Sequence, residues 1–524
     1  MNGRHIFFED DREHAEKTQS SDAATGQGND VNNDALQVLG AGYAHSGHGS
    51  SSVATPSAHS SNTTTLVASA ASSVTMPDST DWEYMQRHPK AIDASRMDQI
   101  QLFSDFLEMH FPTPAAKADL ANRRSYLMGL PEIDLSSAPM LRSAVEAICY
   151  AHAGSNYKDQ RLIQQSRRAY GKVLSSLVKC LNNRGQQNDP RIIVPSIMLL
   201  TLYDDALPGA QSTGWRAHYW GVHEYLKATG PSAFPMSEPF SRLLFLNLRI
   251  PTMFLGIARR KAVVLSEPAW RALGNVSGLG ATPLGRLYAR ALQLPALLER
   301  TDAFLRQNTY ADAKPLLRDL VALRAELVAW SMTESSFADK TIKYFTPVDA
   351  ADDALFDFDI EEHLVMSANS AFESYFDFSS YKVAQDYALY WLFALVLECA
   401  LLRLMHFRPD TEPLIRPRTR AETERDAMNR AKYLCRSAYF FAKFDSQGIT
   451  AFLDALVALA ESFFTEVAAT RELGWCQSVR VANRMRLERL RGKQPRTLCR
   501  MGDMVADLAW ATRFKTRNVV AAES

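Results

Sequence analysis

The chain of 524 residues has few cysteines and no excess of positive charge. Lys+Arg and Asp+Glu both number 58, so the formal net charge is zero. Proteins that bind nucleic acid directly usually carry a basic excess, because neutralising phosphates supplies their affinity. The lack of this excess argues against a dedicated nucleic-acid-binding module. No pair of cysteines has zinc-ligand spacing, and we expect reduced, buried thiols in an intracellular protein; the cysteines are Cys149, Cys180, Cys399, Cys435, Cys476 and Cys499.

Targeting and membrane segments are also lacking. The N-terminus has no apolar run long enough for a secretory signal. The most membrane-like stretch, Tyr387 to Met405, is interrupted by Glu398 and Arg403. We interpret it as a buried helix of a soluble protein rather than a membrane span.

Catalytic motifs are absent as well. The sequence contains no nucleophile elbow, no phosphate-binding loop, no paired carboxylates in a clear context and no metal-ligand set. We therefore assign no catalytic, cofactor-binding or metal-ligating residue, and we expect a protein that is not an enzyme and has no cofactor.

The composition divides the chain into three parts. Residues 1–85 are rich in Ser, Thr, Ala and Gly and cannot bury enough apolar surface to fold, so we expect them to be disordered. Residues 86–515 show apolar residues at helical spacing, and 516–524 form a short tail. The Ser136-Ser137-Ala138-Pro139 run predicts a helix start with a hydroxyl cap. The sequence predicts an all-α fold from stripes such as Leu102, Phe103, Phe106 and Leu107; Leu141, Val145 and Ile148; Tyr170, Leu174, Leu177 and Leu181; and Ala427, Ala431, Leu434 and Ala438.

Two local patterns have a structural and a functional interpretation. His218 and His223 lie about 140° apart on a helix, so they do not share a face as zinc ligands would. We favour a core role for His218, and a place in an effector pocket is the alternative for Trp215. The glycine-rich stretch around Gly278 to Gly285 lacks the strand–turn–helix context of a dinucleotide site and is predicted to be a loop.

Two charged segments also leave alternatives open. The segment of about 346–363 alternates acids with large apolar residues, which indicates a solvated loop between helices or an acidic activation segment. Phe7 to Asp11 has the same character. A basic run indicates the outer face of a surface helix, with a nuclear-import signal or a phosphate-contacting patch as alternatives; it comprises Arg480, Arg484, Arg486, Arg489, Arg491, Lys493, Arg496 and Arg500.

One segment carries a family resemblance. From Asp189 to Pro231 the chain reads as a helix ending in Tyr203-Asp204, a polar gap, and a second helix that closes on Gly230-Pro231; the second helix contains Trp215, His218, Gly221 and Tyr225-Leu226. This order resembles the fungal-specific transcription factor domain, the regulatory region of fungal zinc-cluster transcription factors. Three further segments resemble the same domain in order, so that the resemblance covers roughly residues 95 to 510; they are Phe106 to Pro112, Tyr375 to Leu404 and Ala431 to Phe464.

The chain departs from this family at its N-terminus. Full members carry a binuclear zinc cluster held by six cysteines, and here no cysteine precedes Cys149. No zinc ligand or DNA-contacting residue can therefore be carried over, and either the cluster was lost or the sequence begins downstream of it.

The resemblance nevertheless implies a function. It implies a nuclear transcription regulator of a metabolic or secondary-metabolite gene set that acts through protein partners, such as a zinc-cluster transcription factor or a coactivator. A homodimer and a small-molecule effector would fit such a regulator, whereas direct DNA contact and membrane association are not expected. The alternative is a cytosolic small-molecule-binding or scaffold protein derived from such a regulator.

Overall fold

The computed structural model describes eleven stretches of the chain. These are residues 101–108, 126–182, 189–207, 214–276, 282–307, 313–333, 342–345, 371–414, 418–444, 446–493 and 500–515. The predicted disordered segment 1–85, the acidic segment of about 346–363 and the tail 516–524 lie outside them. Within the described stretches the protein is all-α, as predicted, with one pair of short strands.

Fifteen helices are described with both ends, after a helical stretch at 101–108. They are α1 Pro139–Tyr157, α2 Gln160–Asn182, α3 Pro190–Ala206, α4 Gly214–Thr229, α5 Pro239–Arg259, α6 Pro268–Val276, α7 Pro283–Ala291, α8 Leu294–Gln307, α9 Ala313–Thr333, α10 Tyr381–Phe407, α11 Arg420–Arg436, α12 Ala438–Ala442, α13 Gln447–Val467, α14 Thr470–Lys493 and α15 Arg500–Ala506. Short 3-10 turns join several of them, at Tyr126–Glu132, Pro231–Ala233, Val264–Ser266, Pro409–Leu414 and Ala509–Thr512.

The predicted helix start at Pro139 is half right. Pro139 opens α1, where its missing N–H is not needed. The predicted hydroxyl cap is wrong, because the cap residue is Ala138 and no side chain caps the helix. The two serine hydroxyls donate instead to Asp134, from Ser136 Oγ to its Oδ1 at 2.6 Å and from Ser137 Oγ to its carbonyl oxygen at 2.8 Å.

The glycine-rich stretch around Gly278 to Gly285 is not a loop throughout, as was predicted. Pro283 begins α7, and the hydroxyl of Thr282 accepts a hydrogen bond from the Gly285 N–H at 3.0 Å. The C-terminal end of that stretch is therefore the first turn of a helix. Residues 277–281 lie outside the described part.

The strands were not predicted. β1 (Ile342–Phe345) pairs antiparallel with β2 (Tyr375–Phe378), with Ile342 opposite Phe378. Four-residue strands separated by a long connection do not produce the hairpin signal of two runs and a tight turn. The resemblance implies an aromatic-rich helix over the segment from Tyr375 to Leu404, but the start of that segment is β2, and α10 begins only at Tyr381.

Helix α10 is the centre of the packing. It contacts helices from both halves of the chain, including α8, α9, α11 and α13. The apolar residues form one continuous hydrophobic core that runs from Phe103 to Phe514. By length and composition alone, three helices could cross a membrane: α5, α10 and α13, whose apolar windows are 72%, 100% and 61% buried within the protein. The prediction that Tyr387 to Met405 is a buried helix is thus confirmed for α10.

Candidate functional site: charged side chains inside the helical core

Within the apolar run from Tyr387 to Met405, helix α10 carries two buried charged residues, Glu398 and Arg403. Glu398 Oε1 lies 3.2 Å from Nε of Arg324 on α9. Arg403 Nε lies 3.8 Å from Oδ1 of Asp302 on α8. A buried charge without a partner is costly, and each contact offsets part of the cost of removing its two groups from water. The two pairs nevertheless differ in how completely they are satisfied.

Asp302 is fully engaged. Arg260, the residue directly after α5, donates from Nε to Asp302 Oδ2 at 2.5 Å and from Nη2 to Oδ1 at 2.8 Å. This bidentate geometry is the strongest that an arginine and a carboxylate can form. The pKa of Arg403 is lowered to about 10, mainly because burial disfavours the charged guanidinium and secondly because the positive charge of Arg260 is close. We interpret this group as a structural link between α5, α8 and α10.

The Arg324–Glu398 pair is not fully satisfied. Both side chains are less than a tenth exposed. The 3.2 Å contact is not an aligned hydrogen bond, and in the described part of the chain Arg324 Nη2 and Glu398 Oε2 also have no hydrogen-bond partner. Burial raises the pKa of Glu398 and lowers the pKa of Arg324, in each case against the attraction of the other. Burial therefore costs this pair more than its own contact returns.

A depression in the surface leads to this pair. Helix α9 supplies Arg324 and Val328, α10 supplies Tyr390 and Glu398, and α11 supplies Arg430. The guanidinium of Arg430 lies 5.0 Å from the Tyr390 ring centroid. The enclosed part holds about one water-sized group, and the wider space of about 200 Å³ is partly open to solvent. Charged groups and an opening to solvent occur together here, which makes this depression the candidate site.

His218 and His223 are both buried, and each has a hydrogen-bond partner in the core. His218 is buried and its Nε2 lies 3.1 Å from the hydroxyl of Tyr170. His223 accepts a hydrogen bond at Nδ1 from the Val264 N–H at 3.2 Å. Trp215 is buried with its ring against Tyr219, at 6.1 Å between centroids. Among the described residues no group of three or more His, Cys, Asp or Glu side chains could hold a metal ion.

The basic run is only partly a helix face. Arg484 is exposed on α14, as predicted. Arg480 instead donates to Glu461 at 2.5 Å, and Arg486 is 3% exposed and donates to the carbonyl oxygens of Ala442 and Phe444. The prediction of a uniform outer face is therefore wrong at Arg486, because that side chain ties α14 to the end of α12. The side chains of Arg491, Lys493, Arg496 and Arg500 lie outside the description.

The cysteines in the described part of the chain are free thiols, and four of the five are buried. Cys435 on α11 and Cys476 on α14 place their Sγ atoms 3.6 Å apart. The sequence could not predict this approach, because it depends on how two distant helices cross.

Sequence reasoning missed most of the candidate site. The sequence does indicate that Glu398 is unusual, because it is an acid inside a long apolar run. Nothing in the sequence distinguishes Arg324 and Arg430 from surface residues, because a single arginine on an amphipathic helix is normally exposed. Only the packing of α9 and α11 against α10 brings these side chains together.

Comparisons with known proteins add little about this site. No protein-family model matches the chain. A curated protein from Emericella nidulans, described as uncharacterized, is 24% identical over 251 residues. The match takes in 45% of this chain, which spans about half (52%) of that relative. No solved structure matches.

Proposed function

We propose that this protein is a nuclear transcription regulator that lacks its own DNA-binding cluster and acts through protein partners. The partners would be a zinc-cluster transcription factor or a coactivator, and the controlled genes a metabolic or secondary-metabolite set. On this proposal the helical core is a regulatory and interaction unit rather than a catalytic one.

The observation that carries the proposal is the segment from Asp189 to Pro231. Its residues resemble the fungal transcription factor domain, and the segment contains the two helices α3 and α4. Helices α3 and α4 pack against each other, and Gly230 ends the pair with φ +75°, a conformation that glycine adopts without strain. Trp215 and Gly221 face the core.

The charge balance supports action through partners. A chain with 58 basic and 58 acidic residues has no general attraction to the phosphate backbone. Sequence readout would then come from a partner, because reading a sequence requires contacts to base edges.

A second candidate function is a cytosolic small-molecule-binding protein. The observation in its favour is the depression over Arg324 and Glu398, which combines unpaired buried polar atoms with apolar walls, as ligand sites do. The two functions predict different locations in the cell.

Localisation separates the two functions. We expect the full-length protein, tagged at its native locus, to accumulate in the nucleus. If the basic run is the import signal, substituting Arg484 and Arg491 with glutamine shifts the protein to the cytosol. Arg480 and Arg486 must stay, because their contacts hold α14 in place.

The matched control substitutes Arg167 and Arg168 with glutamine, since both are exposed on α2 outside the basic run. This control should stay nuclear. Exclusion of the unmodified protein from the nucleus would contradict the regulator proposal and favour the binding protein.

A further inference from the structure

Helix α14 has large apolar side chains on its solvent side. Val481 is 52% exposed and Met485 is 57% exposed. They are one helical turn apart, so the two side chains lie next to each other on one face. Among the described residues, the other large apolar side chains this exposed are Tyr157 and Met332, which lie apart on α1 and α9. Single exposed apolar residues are ordinary, whereas neighbouring ones mark a candidate contact surface.

The same surface is basic. Ser478 and Arg484 are exposed beside the two apolar residues, and we call the surface of Ser478, Val481, Arg484 and Met485 the α14 face. From residue 480 to the end of α14 the chain has five arginines and one lysine against a single acid, Glu488. Such an excess attracts negative charge. A segment that covers the α14 face should therefore combine acids with large apolar residues.

The acidic segment of about 346–363 has this composition. It contains seven acids and no lysine or arginine. Large apolar residues stand among the acids, namely Leu355, Phe356, Phe358 and Ile360. The segment can therefore offer apolar contact and opposite charge to the α14 face at the same time.

Both ends of the connection that contains this segment lie close to α14. The connection, residues 346–370, begins directly after β1 and leads to β2. Phe345 at the end of β1 pairs with Tyr375 at the start of β2. On α14, the ring of Trp475 lies 6.4 Å from the Tyr375 ring and 4.9 Å from the Phe372 ring, between centroids. The two ends are thus fixed beside the N-terminal half of α14.

The connection is long enough to reach the α14 face. Met485 follows Trp475 by ten residues, which is about 15 Å along the helix axis and about 80° around it. The connection has 25 residues, and half of them span up to about 40 Å when extended. Because segment and face belong to one chain, their effective concentration is in the millimolar range, so a weak attraction is enough for docking.

We propose that the acidic segment docks on the α14 face of its own chain. Its large apolar side chains contact Val481 and Met485, and the acids between them lie beside Arg484. In the proposed regulator, docking withholds the acidic segment from a coactivator. That consequence rests on the proposed function, but the docking itself does not.

Thiol labelling of the full-length protein tests the docking. Ser478→Cys places a reporter thiol on the α14 face and leaves its apolar residues unchanged. The labelling rate with N-ethylmaleimide is read for this position by mass spectrometry of peptides. Replacing Phe356, Phe358 and Ile360 with serine should uncover the thiol and speed its labelling about tenfold or more, as loss of the burial of an apolar side chain implies.

A second thiol is the matched control. Ser175→Cys on α2 replaces a serine in the same setting, because both serines are exposed and each hydroxyl donates to the carbonyl oxygen four residues earlier. The distances are 2.9 Å to Gly171 and 3.1 Å to Gly474. The segment substitutions should leave labelling at position 175 unchanged.

Substitutions on α14 test the other side of the contact. Met485→Ser should also speed labelling at position 478, and combining it with the segment substitutions should add little, because both remove the same contact. Arg484→Gln should speed labelling by up to about fivefold, as loss of an exposed ion pair implies. Glu488→Gln is its matched control and should not speed labelling, since it removes an acid. All three positions are exposed, and circular dichroism checks that the fold is retained.

Three results would overturn the proposal. The first is labelling at position 478 that the segment substitutions leave unchanged, because the acidic segment then does not cover the α14 face. The second is protection that is lost on dilution of the protein, because a second copy then supplies the cover. The third is effects of the segment and Met485→Ser that multiply, because they then act on separate contacts. None of these results bears on nuclear localisation, so a failure here is distinguishable from a failure of the regulator proposal.

Discussion

At the residue scale, His223 links the stability of the fold to pH. Its ring stacks on Trp220 at 4.4 Å between centroids, and the Arg259 guanidinium lies 4.5 Å from the same indole. Burial, together with the positive charges of Lys227 and Arg259, lowers the pKa of His223 to about 4. The imidazole is therefore neutral in the folded protein at physiological pH.

Acidification should destabilise the protein through this residue. In the unfolded chain a histidine titrates near its ordinary pKa of about 6.5. Below that pH the unfolded state therefore binds a proton that the folded state does not bind until the pH approaches 4. Stability is thus lost as the pH falls from about 6.5 towards 4. Between pH 7 and pH 5 we expect a loss of about 1–2 kcal/mol in the free energy of unfolding from His223.

Urea unfolding at the two pH values measures this contribution. His223→Asn retains an acceptor for the Val264 N–H but cannot titrate, so its loss between pH 7 and 5 should be smaller. His406→Asn, at a half-buried histidine near the end of α10, controls for removal of an imidazole in general. An equal pH dependence in His223→Asn and the unmodified protein would refute the assignment.

At the element scale, the contact of α15 with α13 depends on one glycine. A methyl group added at Gly502 would lie 2.6 Å from the carbonyl carbon of Ala451, closer than real side chains come to backbone. The two helix backbones can therefore approach this closely only without a side chain at position 502.

Substituting this glycine should separate the two helices. We expect Gly502→Ala to lower the free energy of unfolding by about 1–3 kcal/mol, as overpacking does. Gly474→Ala is the matched control on α14, because nothing lies within 4 Å of an added methyl group there. That change should raise stability by up to about 1 kcal/mol, the helix propensity of alanine over glycine. Denaturant unfolding of both variants is the measurement, and an equal effect of the two would contradict the close contact.

The sequence predicted the interiors of elements better than their ends. The stripe of Ala427, Ala431 and Leu434 is buried on α11, as its spacing predicted, because periodicity reports which face packs. The predicted hydroxyl cap before Pro139 was wrong, because both serine hydroxyls donate to the nearby Asp134 instead. Such local competition has no periodic signal.

At the scale of the whole molecule, the sequence predicted that α10 would be buried but not which charges would meet on it. Long apolar content alone is enough to place Glu398 inside a core. The identity of its partner depends on the packing of α9 against α10, which composition does not encode. The all-α class was therefore predictable, whereas the candidate site was not.

The organisation of the molecule also limits where function can lie. The helical core is continuous, and a charged depression opens between α9, α10 and α11. An effector bound there would contact the central helix, which also packs against α7, α8, α12 and α13.

Genome-wide chromatin occupancy of the protein, tagged at its native locus, tests the regulator proposal most directly. We expect discrete promoter peaks, with a shared sequence beneath them that a partner recognises. Occupancy no higher than in an untagged control, with the protein expressed and folded, would contradict it.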